Sequence, residues 1–276
     1  MSAEQELEQW SEPEVAEVVA QLRSSRKYRD LADPALRRVA RWALRGRRGH
    51  QAVKAAKRKL HQVYGAYMDP GALEAAERAA EALAGGGLTV AQRRSTCLDV
   101  LRRHASTAER IPFLEEFYAD LTAGLPPVRS VLDLACGLNP FALPWLDLPE
   151  GTEYLAVDVN TRLARLFDSL SGAWPVSLAG LAHDLVDGPP PVAADVALLL
   201  KAVPCLEQQE AGAGRRLLAA LQAPVVVLSF PARSLGGRDK GMRRTYERLL
   251  ADLAGQEWEI EVRTYPTETV YRLTRR

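Results

Sequence analysis

Through roughly the first 125 positions, apolar residues recur at three- and four-residue spacing, and proline or glycine breaks the runs. The spacing predicts helices over Glu12–Ser24, Pro34–Arg45, Gln51–Tyr67, Pro70–Ala84, Thr89–His104 and Thr107–Thr122. Asp33-Pro34 and Asp69-Pro70 each place a capping residue before a proline at the first helical position, where the missing N–H loses nothing. From Val128 onward, short apolar runs alternate with helical stretches, the pattern of βαβ units feeding a parallel sheet. Predicted strands are Ser130–Leu134, Glu153–Val157, Asp195–Leu200, Pro224–Ser229, Glu257–Arg263 and Glu268–Leu273; helices are expected at Pro140–Leu146, Thr161–Ser171, Gln208–Leu221 and Lys240–Ala254. The last two strands flank Tyr265-Pro266-Thr267 and read as an antiparallel hairpin that ends the sheet. The expected architecture is an all-helical domain at 1–125 and an α/β domain at 126–276.

Charge changes this picture in one place. The formal net charge is only +1, yet Arg23 to Lys59 carries fourteen cations against Asp30 and Asp33, so acids within the block cannot neutralise it. An anionic partner is expected there, RNA rather than DNA, with Arg26, Lys27, Arg37, Arg41 and Lys57 as contacts. The alternative is a set of ordinary charged helix faces. No apolar run is long enough to span a bilayer, and the acidic start Met1-Ser2-Ala3-Glu4 is unlike a signal peptide, so a cytoplasmic protein without a membrane partner is expected. Cys97, Cys136 and Cys205 form no C-x-x-C pair, so neither a disulfide framework nor a metal site is expected.

The chemistry concentrates after the first predicted strand. Val131-Leu-Asp-Leu-Ala-Cys-Gly137-Leu-Asn-Pro140 gives a strand, a tight turn and a helix start, at the strand end where open α/β sheets bind ligands. Gly137 lets the backbone approach a ligand, because a Cβ would occupy that space. Asp158 closes the second strand, where a carboxylate can accept hydrogen bonds from both ribose hydroxyls of an adenosine. G-x-G-x-x-G is absent, so a pyrophosphate cradle is disfavoured and a phosphate-free methyl donor fits better than a dinucleotide. Asp184, near the end of a third strand, either faces the adenine amino group or caps the loop before Gly188-Pro189. A parallel sheet ending in an antiparallel hairpin is the Rossmann-like methyltransferase arrangement.

Several uncommon strings then coincide: Leu60-His61-x-x-Tyr64-Gly65-Ala66, His104-x-Ser106-Thr107-x-Glu109-Arg110, Asp133 to Pro140, Leu198-Leu-Leu-Lys201-x-x-Pro204-Cys205-Leu206-Glu207, and Ser234-Leu235-Gly236-x-x-x-Lys240-Gly241-Met242. Together they resemble the aminoglycoside-resistance 16S ribosomal RNA guanine-N7 methyltransferases of antibiotic-producing actinomycetes, along most of the chain. The resemblance implies S-adenosylmethionine as donor, a guanine of the decoding site in the assembled 30S subunit as target, and a monomeric enzyme. It implies that Arg110 pairs with the cofactor carboxylate, that Asp158 holds the ribose, and that Asp184 with Leu185 frames the adenine. Tyr67, His104, Ala105, Ser106, Ala135, Gly137, Leu200 and Gln209 are expected around them, with Arg238, Lys240 and Met242 on the RNA.

Guanine N7 carries a free lone pair, so its methylation needs alignment and no general base, and no catalytic acid–base residue is expected. Lys201 ends an apolar strand beside the site and could touch the target base; otherwise it is a lysine reaching out from a strand end. Trp145, Phe230 and Tyr246 could hold a flipped base or be core. Three rival readings stay open: a covalent Pro204-Cys205 thiolate mechanism, N1 methylation of a neighbouring adenine, and a non-catalytic RNA-binding protein with a degenerate fold.

Overall fold

The computed structural model describes residues 11–65, 67–232, 246, 248–251, 253 and 257–276. Arg238, Lys240 and Met242, and most of the helix expected at Lys240–Ala254, lie outside the described residues. No described helix is long and apolar enough to cross a membrane.

The amino-terminal helices are α1 (Glu12–Arg23), α2 (Asp33–Leu44) and α3 (Gly49–Leu60), which runs into a π-helical turn at His61–Gly65. They close on their own apolar cluster, including Val15, Leu22, Leu36, Val39, Ala43, Ala56 and Leu60. Next come α4 (Ala72–Ala84), α5 (Val90–Leu101), the short α6 (Ala105–Ala108) and α7 (Leu114–Thr122). The two Asp-Pro signals lie close to helix starts, but neither aspartate is the cap. Asp33 is the first helical residue of α2, ion-paired with Arg23 and Arg37, and the cap of α4 is Gly71 at φ 80°. The helix expected at Thr107–Thr122 is broken by a 3₁₀ turn at Ile111–Phe113, where Pro112 cannot continue an α-helix.

The sheet holds β1 (Ser130–Leu134), β2 (Glu153–Asp158), β3 (Ser177–Ala182), β4 (Val196–Leu200), β5 (Val225–Pro231), β6 (Trp258–Thr264) and β7 (Glu268–Arg275). Its order is β3-β2-β1-β4-β5-β7-β6, parallel through β5, with β7 antiparallel to both β5 and β6. Helices α8 (Thr161–Ser169), α9 (Val203–Gln209) and α10 (Ala213–Ala220) complete the layers. Gly212, at φ 79°, ends what the pattern reads as one helix from Gln208.

The period of two explains the unbroken apolar strands. Val196, Leu198 and Leu200 of β4 join one buried cluster, while Ala197 and Leu199 join the other, so both faces are covered by helices. Apolar packing does not part at residue 125: Ala76, Leu83, Leu101, Phe117 and Leu121 from α4, α5 and α7 share the cluster of Val131, Phe141 and Leu198. The chain reverses strand order at β1, which pairs with β2 on one side and β4 on the other; the crevice at their carboxyl ends is where such sheets bind ligands.

Candidate functional site

A cavity of about 480 Å³ opens at that crevice. The turn after β1 enters it with Ala135 at φ 53°, and β4 leaves it with Lys201 at φ 59°; these are the non-glycine residues with positive φ among the described residues. Such backbone is held only where its surroundings fix it, and here the two positions follow the paired strands β1 and β4 at the switch point.

Asp158 ends β2 against the same turn. Its Oδ2 accepts the Gly137 N–H at 3.0 Å and its Oδ1 accepts the Asn160 N–H at 2.8 Å. Burial raises its pKa, and those N–H bonds work the other way. Gly137 sits at φ 53°, and a Cβ there would come within 3.0 Å of His104 Nε2. The glycine is therefore required by the His104 ring as well as by its own backbone, and not only by a ligand as the sequence suggests. Burial pushes His104 down to about 4, aided by Arg110 and Lys201, so the ring is neutral at physiological pH. Its Nδ1 lies 2.9 Å from Ser106 Oγ, and Tyr67 stacks against it with ring centroids 6.3 Å apart.

Ten of the twelve residues expected around a cofactor line this cavity: Tyr67, His104, Ser106, Ala135, Gly137, Asp158, Asp184, Leu185, Leu200 and Gln209. Ala105 and Arg110 do not. Arg110 is 1% exposed and forms a two-pronged pair with Glu268, Nε to Oε1 at 2.5 Å and Nη2 to Oε2 at 3.0 Å, with its guanidinium 4.7 Å from the Phe117 ring centroid. The acid that Arg110 meets lies on the last strand of the sheet, 158 residues away. Among the cations that do line the cavity is Lys201, whose Nζ is held by Glu109 at 2.5 Å and lies 3.9 Å from Glu268. Glu268 carries no signal in the sequence, being a lone acid at the start of a hairpin strand.

Asp184 both caps a turn and lines the cavity. Its Oδ1 accepts the Val186 N–H at 3.2 Å, capping the turn Leu185–Asp187 at the cavity wall. It is also bound by Arg38 of α2, a residue that the sequence leaves among the undifferentiated cations.

The cations of the amino-terminal block find more partners than their own segment offers. Arg37 and Arg41 hold Glu12, Arg48 meets Glu14, and Arg26 meets Glu74, all from outside the block. Lys27 Nζ lies 2.9 Å from His61 Nδ1, and both Arg26 and Lys27 reach the cavity rim. Arg45, Lys54, Lys57 and Arg58 have no carboxylate partner among the described residues, while Arg47 and Lys59 lie 5.5 and 5.4 Å from the Trp42 ring.

None of the aromatic residues named for a flipped base lines the cavity. Trp145 is buried under Arg94, and Phe230 stacks on Tyr246 at 4.8 Å within the core. The rings that line it are those of Tyr28, Tyr64, Tyr67 and His104. Cys205 also reaches the cavity, but burial raises its thiol and Tyr67 Oη, 3.1 Å away, is its hydrogen-bond partner. Among the described residues nothing there generates a thiolate, and the covalent reading loses its nucleophile.

The cavity accommodates an adenosyl group bearing an amino-acid tail. A carboxylate at the end of β2 retains acceptor capacity for ribose hydroxyls, Asp184 supplies a second carboxylate, and Lys201 and Ser106 also line the wall. Sheet order and site together define a Rossmann-like methyltransferase. A family model described as ribosomal RNA methyltransferase (FmrO) matches residues 23–271. The chain is 41% identical over 271 residues to a 16S rRNA (guanine(1405)-N(7))-methyltransferase of Frankia casuarinae, covering 95% of this chain and 93% of that one. It is 38% identical to the Micromonospora rosea enzyme of the same name, over 84% of this chain and 86% of the relative. Among solved structures, the 16S rRNA methyltransferase RmtF in complex with S-adenosyl-L-homocysteine superposes with a TM-score of 0.82 at 32% identity, over 97% of this chain and 100% of that one. The chain belongs to the FmrO family of ribosomal RNA methyltransferases.

Proposed function

We propose that the protein transfers the methyl group of S-adenosylmethionine to N7 of a guanine in 16S rRNA, conferring aminoglycoside resistance. The observation that carries the chemistry is a cavity with a carboxylate at the adenosine-binding strand end and buried side chains that are poor bases: His104 is held down to about 4 and accepts a proton weakly, burial raises the Cys205 thiol, and the Asp158 and Asp184 carboxylates are engaged by backbone N–H groups and by Arg38. An acceptor with its own lone pair is what such a site can methylate by alignment. The choice of guanine N7 over a neighbouring adenine rests on relatives of 41% and 38% identity that carry that name. Purified small subunits incubated with enzyme and donor should become cleavable at a single 7-methylguanine. Modification at adenine N1 instead would replace the target assignment, and no modification would favour a binding protein.

The same proposal places the substrate in the assembled 30S subunit and the enzyme in the cytoplasm as a monomer. The unit up to Gly65 supplies the docking face, while α4 to α7 belong to the layer packed on the sheet. On α3, Lys54, Lys57 and Arg58 recur on one outward face opposite buried Ala52, Ala56 and Leu60, and Arg37 and Arg41 hold Glu12 in exposed pairs that a phosphate can displace. A Lys54→Glu/Lys57→Glu/Arg58→Glu variant should bind subunits at least about tenfold more weakly, with the slope of log K against log salt reduced by roughly one for each phosphate that is no longer neutralised. Cofactor affinity should be unchanged. Unaltered subunit binding in filter or light-scattering assays would move the docking face elsewhere.

A further inference from the structure

Asp184 faces the cavity, but its position is set from another part of the chain. Arg38, on α2, lies 146 residues away in sequence. Its Nε and Nη2 reach Asp184 Oδ2 at 3.1 and 2.7 Å, and Nη2 also lies 3.0 Å from Oδ1. The same Nη2 lies 2.9 Å from Gln209 Oε1, which also accepts from Tyr64 Oη at 2.6 Å. The side chains of Arg38 and Asp184 are 20% and 3% exposed, so this is a largely desolvated pair and not a surface contact.

The count of lone pairs makes the arrangement specific. An ionised carboxylate has about four acceptor positions. The guanidinium has one Nε–H and, with the other Nη2 hydrogen given to Gln209, one Nη2–H for Asp184. The Val186 N–H takes a third position at 3.2 Å. By hydrogen count one acceptor position is left, on a residue that lines the cavity. A lone hydrogen-bond acceptor in a site built for adenosine is suited to an exocyclic amino group, which donates.

We propose that Arg38 is a positioning residue for base selection in the cofactor: by occupying the other lone pairs of Asp184, it aims the remaining one at the adenine amino group. The inference rests on reading the cavity as the adenosine site. Without Arg38, a carboxylate buried to this degree has lost its counter-charge, and it turns toward solvent or takes up a proton. Either way, the aimed acceptor is gone. The backbone around Asp158 is pinned from the same unit, with Ala32 N–H donating to Val159 O at 2.8 Å and Thr161 N–H to Asp30 O at 2.7 Å. Ribose contacts therefore persist when Arg38 alone is changed.

The test is a ratio of affinities. Calorimetry would compare S-adenosylhomocysteine with its analogue that carries hydrogen in place of the 6-amino group, in the full-length protein. One satisfied buried hydrogen bond predicts that the unmodified protein prefers the amino compound by at least about tenfold. In Arg38→Met the preference should fall below about threefold through weaker binding of the amino compound, with the analogue's affinity within about twofold of the parent value. Asp184→Asn should lose the preference as well. Arg38→Lys, which keeps the charge but cannot span both oxygens, should lie between and serves as the readout if Arg38→Met does not accumulate as folded protein. If Arg38→Met and Arg38→Lys weaken both ligands equally while Asp184→Asn abolishes the preference, Arg38 is only a structural tie and the inference fails. If none of the variants changes the ratio, the inference fails together with the assignment of Asp184 to the adenine.

Discussion

Asp158→Ala should reduce affinity for S-adenosylhomocysteine by at least about a hundredfold while the apo protein still unfolds cooperatively near the parent temperature. Asp158 Oδ2 accepts the Gly137 N–H at 3.0 Å and Oδ1 the Asn160 N–H at 2.8 Å, and the two ribose hydroxyls would use the acceptor capacity beyond these backbone bonds. Hydrogen bonds to a charged acceptor contribute about 1.5–3 kcal/mol each, so losing two removes roughly 3–6 kcal/mol of binding, about two to four decades. The alanine also releases the two N–H groups that shape the turn, so Asp158→Asn is the milder comparison. Its amide must set an NH₂ against one of those donors and should sit between the two. Acid has a related effect. Because burial raises the Asp158 pKa, the carboxylate gains its proton at a higher pH than an exposed aspartate would. Ligand affinity should therefore decline on acidification earlier than a surface carboxylate would make it. Calorimetry of the parent, Asn and Ala proteins measures both effects, and normal binding by Asp158→Ala would remove the adenosine site from this cavity.

What the sequence reveals about this site, and what it hides, divides along a physical line. Asp158 and Gly137 are legible because each sits within a few residues of a predicted strand end, where the fold class itself says ligands bind. The strands β1, β4 and β5 are legible because burial on both faces demands continuous apolar runs. By contrast, β3 is implied but not delimited, since Ser177–Ala182 reads Ser-Leu-Ala-Gly-Leu-Ala. Its small residues are there for packing: a Cβ on Gly180 would lie 2.0 Å from the Ala164 carbonyl of α8. That constraint comes from the neighbouring layer and leaves no local periodicity. Arg38 and Arg110 look like surface charges for the same reason. Their partners, Asp184 and Glu268, are 146 and 158 residues away, and only the assembled fold brings them together. The motif containing Arg110 does belong to the site, yet its pairing with Glu268 is hidden, because a side chain committed to a buried carboxylate is indistinguishable in sequence from one that awaits a ligand.

Glu268→Ala should be the most destabilising single substitution at the site, lowering stability by about 3–5 kcal/mol, the range for stripping one partner from a buried ion pair. For a chain of this size that corresponds to a fall in Tm of roughly 10 °C. Glu268 is fully buried at the start of β7, opposite Pro231, and its carboxylate takes both prongs of Arg110. The loss is large because Arg110 is equally enclosed and cannot find water once its partner has gone. The consequence extends beyond stability. Arg110 lies just beyond α6, the short helix that carries Ser106 and is preceded by His104, both in the cavity wall. The pair therefore clamps that wall to the end of the sheet, and a weakened ligand affinity should accompany the lower Tm. Burial opposes the charge on Glu268, but the Arg110 guanidinium and its hydrogen bonds outweigh burial and hold the carboxyl below its usual range. The stability this contributes is present above the ordinary glutamate pKa and is lost as pH falls through the depressed one, so the alanine variant should show a correspondingly smaller loss on acidification. Replacing both partners, as Arg110→Met/Glu268→Met, should recover most of the lost stability, since two apolar side chains leave no uncompensated charge. Thermal unfolding of the three variants across the acid range measures each of these effects. A double variant no more stable than Glu268→Ala would show that Arg110 and Glu268 are not coupled, and that the clamp on the cavity wall lies elsewhere.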